Sequence, residues 1–151
     1  GDIVEIRWKK DTIYIAGDGD KPELAEWIIS VKKLKDGSVS TFRKNYKKQL
    51  KYNWSEENNY SQSYLDKLYL IVEYYIANSQ NQRLKSFIAS KEQLEYSIEE
   101  RTRDEREYTV IGIANIFEHR VNTIQWLYYE HNDLNKLFEY DLPNDKLIEF
   151  E

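Results

Sequence analysis

One uninterrupted stretch, residues 108–131, constrains the fold more than any other part of the chain. It reads YTVIGIANIFEHRVNTIQWLYYEH, with apolar residues at spacings of mostly three and four and with no proline. That period is typical of one face of an α-helix. A helix of this length would extend about 36 Å at about 1.5 Å per residue. The stretch therefore predicts a long central helix, with Phe117 and Ile124 buried in the middle of its apolar face.

Other periodic segments predict further helices around the central one. Residues 64–77 and 83–100 each carry apolar positions at helical spacing. Residues 99–107 are almost wholly charged, which suits either a solvated link or an exposed helix that joins its neighbours. Farther along, residues 133–140 predict a short helix and residues 146–150 predict an edge strand.

The N-terminal region is predicted to contain strands. Apolar and polar residues alternate over residues 2–8 and again over residues 12–16, so that Val4, Ile6 and Trp8 share one side. Residues 9–11 would then be the short hairpin connection between the two strands.

Two structures compete for residues 24–42. Leu24, Trp27, Ile28, Val31 and Leu34 follow one another at helical spacing, which favours a helix with residues 38–42 as a third strand. In the competing interpretation Trp27, Ile29 and Val31 alternate as a strand, and Asp36-Gly37 forms a hairpin turn. We favour the helix. The basic residues 43–52 that follow are also predicted to be helical.

These segments together predict an α+β fold, with a small N-terminal β-hairpin element followed by a mainly α-helical bundle around the long central helix. Residues 1–53 contain 12 basic and 8 acidic residues, a net charge of +4. Residues 54–151 contain 10 basic and 19 acidic residues, a net charge of −9. We therefore expect a small basic α+β element, 1–53, and an acidic helical bundle, 54–151, packed as one compact domain.

The composition argues against several classes of protein. There is no cysteine, so disulfides, thiolate metal sites and cysteine nucleophiles are excluded. The glycine-rich nucleotide motifs and the GxSxG hydrolase motif are absent, and the two histidines, His119 and His131, are too far apart for a helical zinc pair. We therefore predict no catalytic residues, no cofactor and no bound metal. No apolar run is long enough to span a membrane, and we expect a cytoplasmic protein without a membrane partner.

A basic and aromatic stretch, residues 32–54, is the clearest binding candidate. Cations that neutralise phosphates beside rings that stack on bases are typical of single-stranded nucleic-acid binding. The same stretch could instead dock on an acidic protein surface. The residues predicted to make this contact are Lys32, Lys33, Lys35, Arg43, Lys44, Tyr46, Lys47, Lys48, Lys51 and Trp54.

An acidic segment, residues 18–26, supplies an alternative of a different class. Clustered carboxylates bind hard cations, so Asp18, Asp20 and Glu23 could serve a metal-dependent enzyme. The spacing does not match a calcium loop, and the interpretation we favour is that Asp20 and Glu23 cap a helix.

Aromatic residues in the predicted bundle point to a protein interface. Two adjacent tyrosines on a helix cannot both face one core, so one of each pair should point outward. Exposed Tyr and Trp are common at interfaces, and Tyr74, Trp126 and Tyr129 are the residues we select. The predicted function is non-enzymatic binding, in which the helical half contacts a protein partner or a second copy of the chain. Nucleic-acid binding is the first alternative and the metal-dependent enzyme the second.

Overall fold

The computed structural model describes residues 1–14, 21–118, 120–130 and 136–151. Over these residues the chain forms eight strands, three α-helices and one short 3-10 helix. The strands are β1 (Ile3–Tyr14), β2 (Pro22–Lys35), β3 (Lys51–Trp54), β4 (Leu94–Arg103), β5 (Arg106–Phe117), β6 (Arg120–Glu130), β7 (Leu137–Asp141) and β8 (Lys146–Glu149). The helices are α1 (Ser38–Tyr46), α2 (Gln62–Asn78) and α3 (Gln82–Ala89). The prediction of a mainly α-helical bundle is therefore wrong, because most of the ordered backbone is β-strand.

The chain divides into two compact units, residues 1–44 and 45–151. The first unit contains a two-stranded antiparallel ribbon, β1 and β2, which we call the arm. Its Cα partners run from Ile3 opposite Lys35, at the end we call the base, to Tyr14 opposite Pro22 near the tip. The register shifts between Ile3 and Val4 and again between Arg7 and Trp8.

The arm replaces two predicted elements. Residues 9–11 do not turn, because each is paired with a residue of β2 inside one continuous strand. The helix predicted from Leu24 to Leu34 is wrong, and the competing strand is what forms there. The β-branched Ile28, Ile29 and Val31 favour extended backbone. Pairing with β1 then adds a long-range contribution that local spacing does not reveal.

The segment after the arm is helical where a strand was predicted. Residues 38–42 belong to α1, whose first backbone bond runs from the Thr41 amide to the Gly37 carbonyl at 3.0 Å. A Cβ on Gly37 would lie 2.4 Å from the backbone carbon of Gly1, so only glycine allows this approach of the two backbones. Residues 43–52 are helical only as far as Tyr46.

The second unit is built on one sheet with the strand order β3-β4-β5-β6-β7-β8. Neighbouring strands are antiparallel, except that β3 and β4 are parallel. A parallel pair requires a crossover connection, and α2 with α3 supplies it. The helix predicted at residues 64–77 is confirmed as α2, which begins after Ser61, whose hydroxyl accepts from the Tyr64 amide at 3.3 Å.

The predicted central helix does not exist. Residues 108–117 and 120–130 form β5 and β6, an antiparallel pair that runs from Tyr108 opposite Glu130 to Phe117 opposite Arg120, while residues 119 and 131 lie outside the described residues. Residues 108–115 are buried on both faces of the sheet, so the alternation that marks a strand is lost in a continuous apolar run. Phe117 is 63% exposed, so its predicted burial is wrong, and Ile124 is half-buried.

Four further predictions have mixed outcomes. The helix at 83–100 is correct only for α3, since its second half is β4. The charged residues 99–107 form the β4–β5 hairpin, whose turn residues have positive φ. The helix predicted at residues 133–140 is wrong over the described part, which belongs to β7, and residues 133–135 lie outside the described residues. The edge strand at 146–150 is confirmed as β8.

The two faces of the large sheet are covered differently. Helix α2 packs on one face, where the Tyr64 hydroxyl lies 2.7 Å from that of Thr109 and the Tyr75 hydroxyl donates to Glu139 at 2.8 Å. The opposite face is covered by its own large side chains, which we call the aromatic cluster. The cluster contains Tyr108, Val110 and Tyr128, with Trp126, Phe138, Tyr140 and Leu147 packed against them.

Gly112 lets Trp126 lie flat on the aromatic face of the sheet. Gly112 lies directly opposite Trp126 on β6 and Ser97 on β4. A Cβ at this position would come within 2.5 Å of the Trp126 ring and 2.8 Å of the Ser97 hydroxyl oxygen. The backbone of β5 can therefore come this close to the indole ring only because position 112 has no side chain.

Replacing Gly112 with Ala distinguishes the strand from the predicted helix, because the free energy of unfolding should change in opposite directions in the two structures. In a helix the change would stabilise by about 1 kcal/mol. In the sheet it overpacks Trp126, and we expect the free energy of unfolding to fall by about 1–3 kcal/mol. Chemical denaturation of the wild type and the variant measures this change in the free energy of unfolding. The loss of unfolding free energy caused by Gly112→Ala should be smaller in a Trp126→Leu background. If the effects of the two substitutions simply add, the Trp126 ring is not what the new methyl group collides with.

Candidate interaction surface

Seven large apolar side chains share one face of the arm, and each is 42–78% exposed. The register places them together, since Ile6 lies opposite Val31 and Trp8 lies opposite Ile28. Residues directly opposite each other in an antiparallel pair point to the same face. The members are Val4, Ile6, Trp8 and Tyr14 on β1 and Leu24, Ile28 and Val31 on β2. We call this surface the apolar face.

The other face of the arm is charged and carries its own ion pairs. On β1, Arg7 lies 3.5 Å from Glu5, and Lys9 lies 2.8 Å from Asp11. Each pair joins residues two apart, as the alternation of a strand requires. Trp27, opposite Lys9, is a large exposed aromatic residue on this charged face. The arm is therefore an amphipathic ribbon, with one face suited to water and one face that is not.

Lys33 near the base and Thr12 interrupt the apolar face, and one cross-strand pair on this face is polar in both strands. Lys10 lies opposite Glu26, and their charged atoms are 3.3 Å apart. The Lys10 ammonium also lies 5.7 Å from the centre of the Trp8 ring. Both side chains are exposed, so the pair contributes little to stability. It does give the face one positive and one negative charge side by side.

A cluster of hydrogen bonds holds the base of the arm against α1. The Asp2 carboxylate accepts from the Gly37 amide at 2.7 Å, from Lys33 at 2.6 Å and from the Ser40 hydroxyl at 3.0 Å. The Gly37 donor first, and then Lys33 and Ser40, hold the pKa of Asp2 well below its usual range. Asp36 accepts from both Lys44 and Lys33, which also lowers its pKa.

The predicted basic and aromatic contact residues do not share one environment. Lys32 lies on the charged face of the arm opposite Glu5, and Lys35 lies opposite Ile3 at the base. Lys33 and Lys44 form the ion pairs with Asp2 and Asp36. These residues belong to the first unit with Arg43, whereas Tyr46, Lys47, Lys48, Lys51 and Trp54 belong to the second.

Tyr46 has a structural role in the second unit. Its ring is fully buried, and its hydroxyl donates to the Glu92 carbonyl at 2.7 Å and accepts from the Leu94 amide at 2.8 Å. A buried ring offers no face to a nucleic-acid base, so the predicted stacking at this position is wrong. Burial is also the main cause that raises the pKa of Tyr46.

The other members of the second unit's basic stretch lie at its surface. Lys48 donates to the Lys91 carbonyl, and Lys47 has a positive φ of 60° directly after α1. Lys51 is exposed at the start of β3. Trp54 is 37% exposed at the end of that strand, and its ring nitrogen donates to the Asn58 carbonyl at 3.2 Å.

The acidic segment is only partly described. Asp18 and Asp20 lie outside the described residues. Glu23 and Glu26 lie on β2, so the helix that Asp20 and Glu23 were expected to cap does not form. The two glutamates are opposite Ile13 and Lys10, and therefore point to different faces of the arm. Within the described ranges, no group of three or more His, Cys, Asp or Glu residues could hold a metal ion.

The three predicted interface residues differ in exposure. Tyr74 is 45% exposed on α2, and its ring contacts that of Phe150 edge to face at 6.1 Å. Trp126 is half-buried in the aromatic cluster, where Arg101 lies 5.4 Å from its ring. Tyr129 is buried against the helices, and the adjacent Tyr128 is buried on the opposite face. The expectation that one of these adjacent tyrosines points into solvent is wrong, because a strand between two covered faces buries both.

Sequence reasoning missed the apolar face as a surface. The alternation of Val4, Ile6 and Trp8 was visible and indicated a strand with one apolar side. The assignment of β2 as a helix hid the matching side chains of the second strand. The competing alternation of Trp27, Ile29 and Val31 indicated a strand there. It did not indicate the surface, because the register shift between Arg7 and Trp8 puts Trp27 and Val31 on different faces of the arm.

Comparison with known proteins finds no matching family model, no curated relative and no similar solved structure. Over the part of the chain that the structure describes, none of the helices is long and apolar enough to cross a membrane.

The structural role of Tyr46 can be tested with Tyr46→Phe. The change leaves the buried Leu94 amide without its acceptor, so the free energy of unfolding should fall by about 1–3 kcal/mol. Denaturant unfolding measures this, with Tyr74→Phe as an exposed control that should stay within about 0.5 kcal/mol. A variant as stable as the wild type would mean that the hydroxyl is not bonded inside the fold.

Acid should loosen the base of the arm. Because the pKa of Asp2 is depressed in the folded chain, its stabilising contribution is present above the ordinary Asp value and is lost as pH falls through the depressed pKa. The amide proton shift of Gly37, followed by NMR as the pH is lowered, should stay constant through the ordinary Asp range near about pH 4 and change only at lower pH. In Asp2→Asn the shift should no longer titrate at low pH. Its persistence there would assign the titration to another group.

Proposed function

We propose that this chain is a non-enzymatic protein-binding module and that the apolar face of the arm is its contact surface. The observation that carries the proposal is the set of seven large exposed apolar side chains on one face of a ribbon whose other face is charged. Contiguous exposed apolar surface of this kind typically marks an interaction site, because leaving it in water is costly.

The size of the face supports this function. A 12-residue strand extends about 40 Å at about 3.3 Å per residue. With two strands about 4.8 Å apart and side chains beyond them, a ribbon is about 15 Å wide, which gives roughly 600 Å². This footprint includes the polar Lys10 and Glu26, so the apolar area is smaller and falls within the size of the largest apolar patch on a typical monomer, about 300–600 Å².

The architecture of the arm supports it as well. An isolated two-stranded ribbon is at best marginally stable in water, and it gains stability when an apolar face is covered. The Asp2 cluster and Gly37 fix the base of the arm, so the face is presented on an anchored ribbon. Anchoring reduces the ordering cost of binding, because less conformational freedom is lost when a partner covers the face.

The proposed surface differs from the one predicted from sequence. The expected contact was the outer side of a helical bundle, with Tyr74, Trp126 and Tyr129. Of these residues, Tyr129 is buried and Trp126 is half-buried in the aromatic cluster. The arm instead combines exposure, apolar character and extent in one continuous face, which is why we place the contact there.

Polar substitutions on the two faces of the arm should separate binding from general surface effects. In pull-downs from the native host, Trp8→Gln combined with Ile28→Gln should lose the proteins that the wild type captures, because both side chains lie on the apolar face. Trp27→Gln is the matched control, since this residue has similar exposure, 50% against 56% for Trp8, but lies on the charged face. Mass spectrometry identifies the captured species.

If the double variant and the control capture the same proteins as the wild type, the apolar face is not the contact surface. Circular dichroism of all three proteins checks that the fold is retained. A loss with Trp27→Gln alone would move the contact to the charged face and contradict the proposal.

A further inference from the structure

We propose that the occupant of the apolar face is a second copy of this chain, packed face to face about a two-fold axis that runs parallel to the arm. This inference rests on the proposed function and names its partner. The apolar face must then be complementary to itself, because a two-fold interface uses the same patch on both subunits.

The charges on the face select this axis. A two-fold axis along the arm places β1 of one subunit over β2 of the other, so each residue meets the partner's copy of its own cross-strand neighbour. Lys10 then faces Glu26 of the partner subunit, and Glu26 faces the partner's Lys10. The interface gains two intermolecular pairs of opposite charge at its centre.

The alternative two-fold axis, which lies across the arm, is disfavoured by the same residues. It would place β1 over β1 and, with the polar pair centred on the axis, would bring Lys10 over the partner's Lys10. Like charges placed against each other in an interface oppose association. With that centring, antiparallel stacking brings like charges together where parallel stacking brings opposite charges together.

Apolar contacts and area agree with the parallel arrangement. Trp8 would cover Ile28 of the partner subunit, and Ile6 would cover the partner's Val31. Two faces of roughly 600 Å² bury about 1,200 Å², which is the lower limit of a standard specific interface. The Lys10–Glu26 pair is then surrounded by apolar contacts. Polar groups placed in this way inside an apolar interface determine which partner and which register are accepted.

Net charge does not oppose the pairing of two arms. Residues 1–44 contain nine basic and eight acidic residues, a net charge of +1, whereas residues 45–151 contain 13 basic and 19 acidic residues, a net charge of −6. The near-neutral part of the chain is therefore the one that carries the apolar face. A second copy meets little electrostatic repulsion there.

Charge-swap variants test the arrangement directly. Lys10→Glu and Glu26→Lys should each weaken the dimer about tenfold or more, because each replaces two intermolecular attractions with repulsions. An equimolar mixture of the two variants should recover the dimer as a heterodimer, since the carboxylates of one chain then face the ammoniums of the other. The Lys10–Glu26 pair within a chain is absent from both variants, so the recovery can come only from contacts between subunits.

The charged face supplies matched controls. Lys9→Glu and Glu23→Lys make the same changes of charge one and three residues away, on the opposite face of the arm. Neither should change the dissociation constant, and their mixture should show no selective pairing. Sedimentation equilibrium of the full chain measures the mass and dissociation constant for each sample, and isotope-labelled chains identify the heterodimer by native mass spectrometry.

Three results would overturn the inference: a wild type that stays monomeric at about 100 µM, homodimers that the Lys10→Glu and Glu26→Lys substitutions leave intact, or a mixture that does not recover pairing. A monomeric wild type whose apolar-face variant still loses captured proteins would leave the proposed function standing with another partner. A monomeric wild type whose captured proteins do not depend on the apolar face would contradict both proposals.

Discussion

Every β-sheet presents two faces, and each apolar face needs a cover. In the second unit α2 covers one face, and the aromatic cluster covers the other with the sheet's own large side chains. In the arm the charged face is mainly polar, apart from the exposed Ile3 and Trp27, while the apolar face keeps seven large side chains exposed. The same requirement thus explains the packed core of one unit and the interaction surface that we propose on the other.

Sequence analysis found α2 and β8 and missed the β5–β6 pair, which is buried on both faces. Helix α2 has one apolar stripe, so its period is visible in the sequence. The β5–β6 pair is enclosed on both faces over residues 108–115, so its apolar residues are nearly continuous and a helical spacing can be found by chance. The close contact of Gly112 with Trp126 depends on a strand register that local sequence does not encode.

The candidate surface was half visible in the sequence. The alternation of Val4, Ile6 and Trp8 indicated one apolar side of a strand. The other half of the face lies on β2, and it depends on pairing between residues more than ten positions apart. In the local sequence, the alternation that marks this strand was no clearer than the helical spacing of the same residues. The basic and aromatic stretch shows the opposite failure. Composition grouped Tyr46 with exposed lysines, although its hydroxyl is bonded inside the fold.

The order of strands in the second unit has a consequence for how it folds. Strands β4 to β8 follow one another in the chain and lie side by side in the same order, so each pairing closes only a short loop. Pairing of β3 with β4 closes a longer loop, residues 55–93, which contains both α2 and α3. Closing a longer loop costs more conformational entropy, although slowly with length, and non-local contacts slow folding. We therefore expect the antiparallel meander to form first and β3 to join it late, so that the edge of β4 stays open during the intervening time.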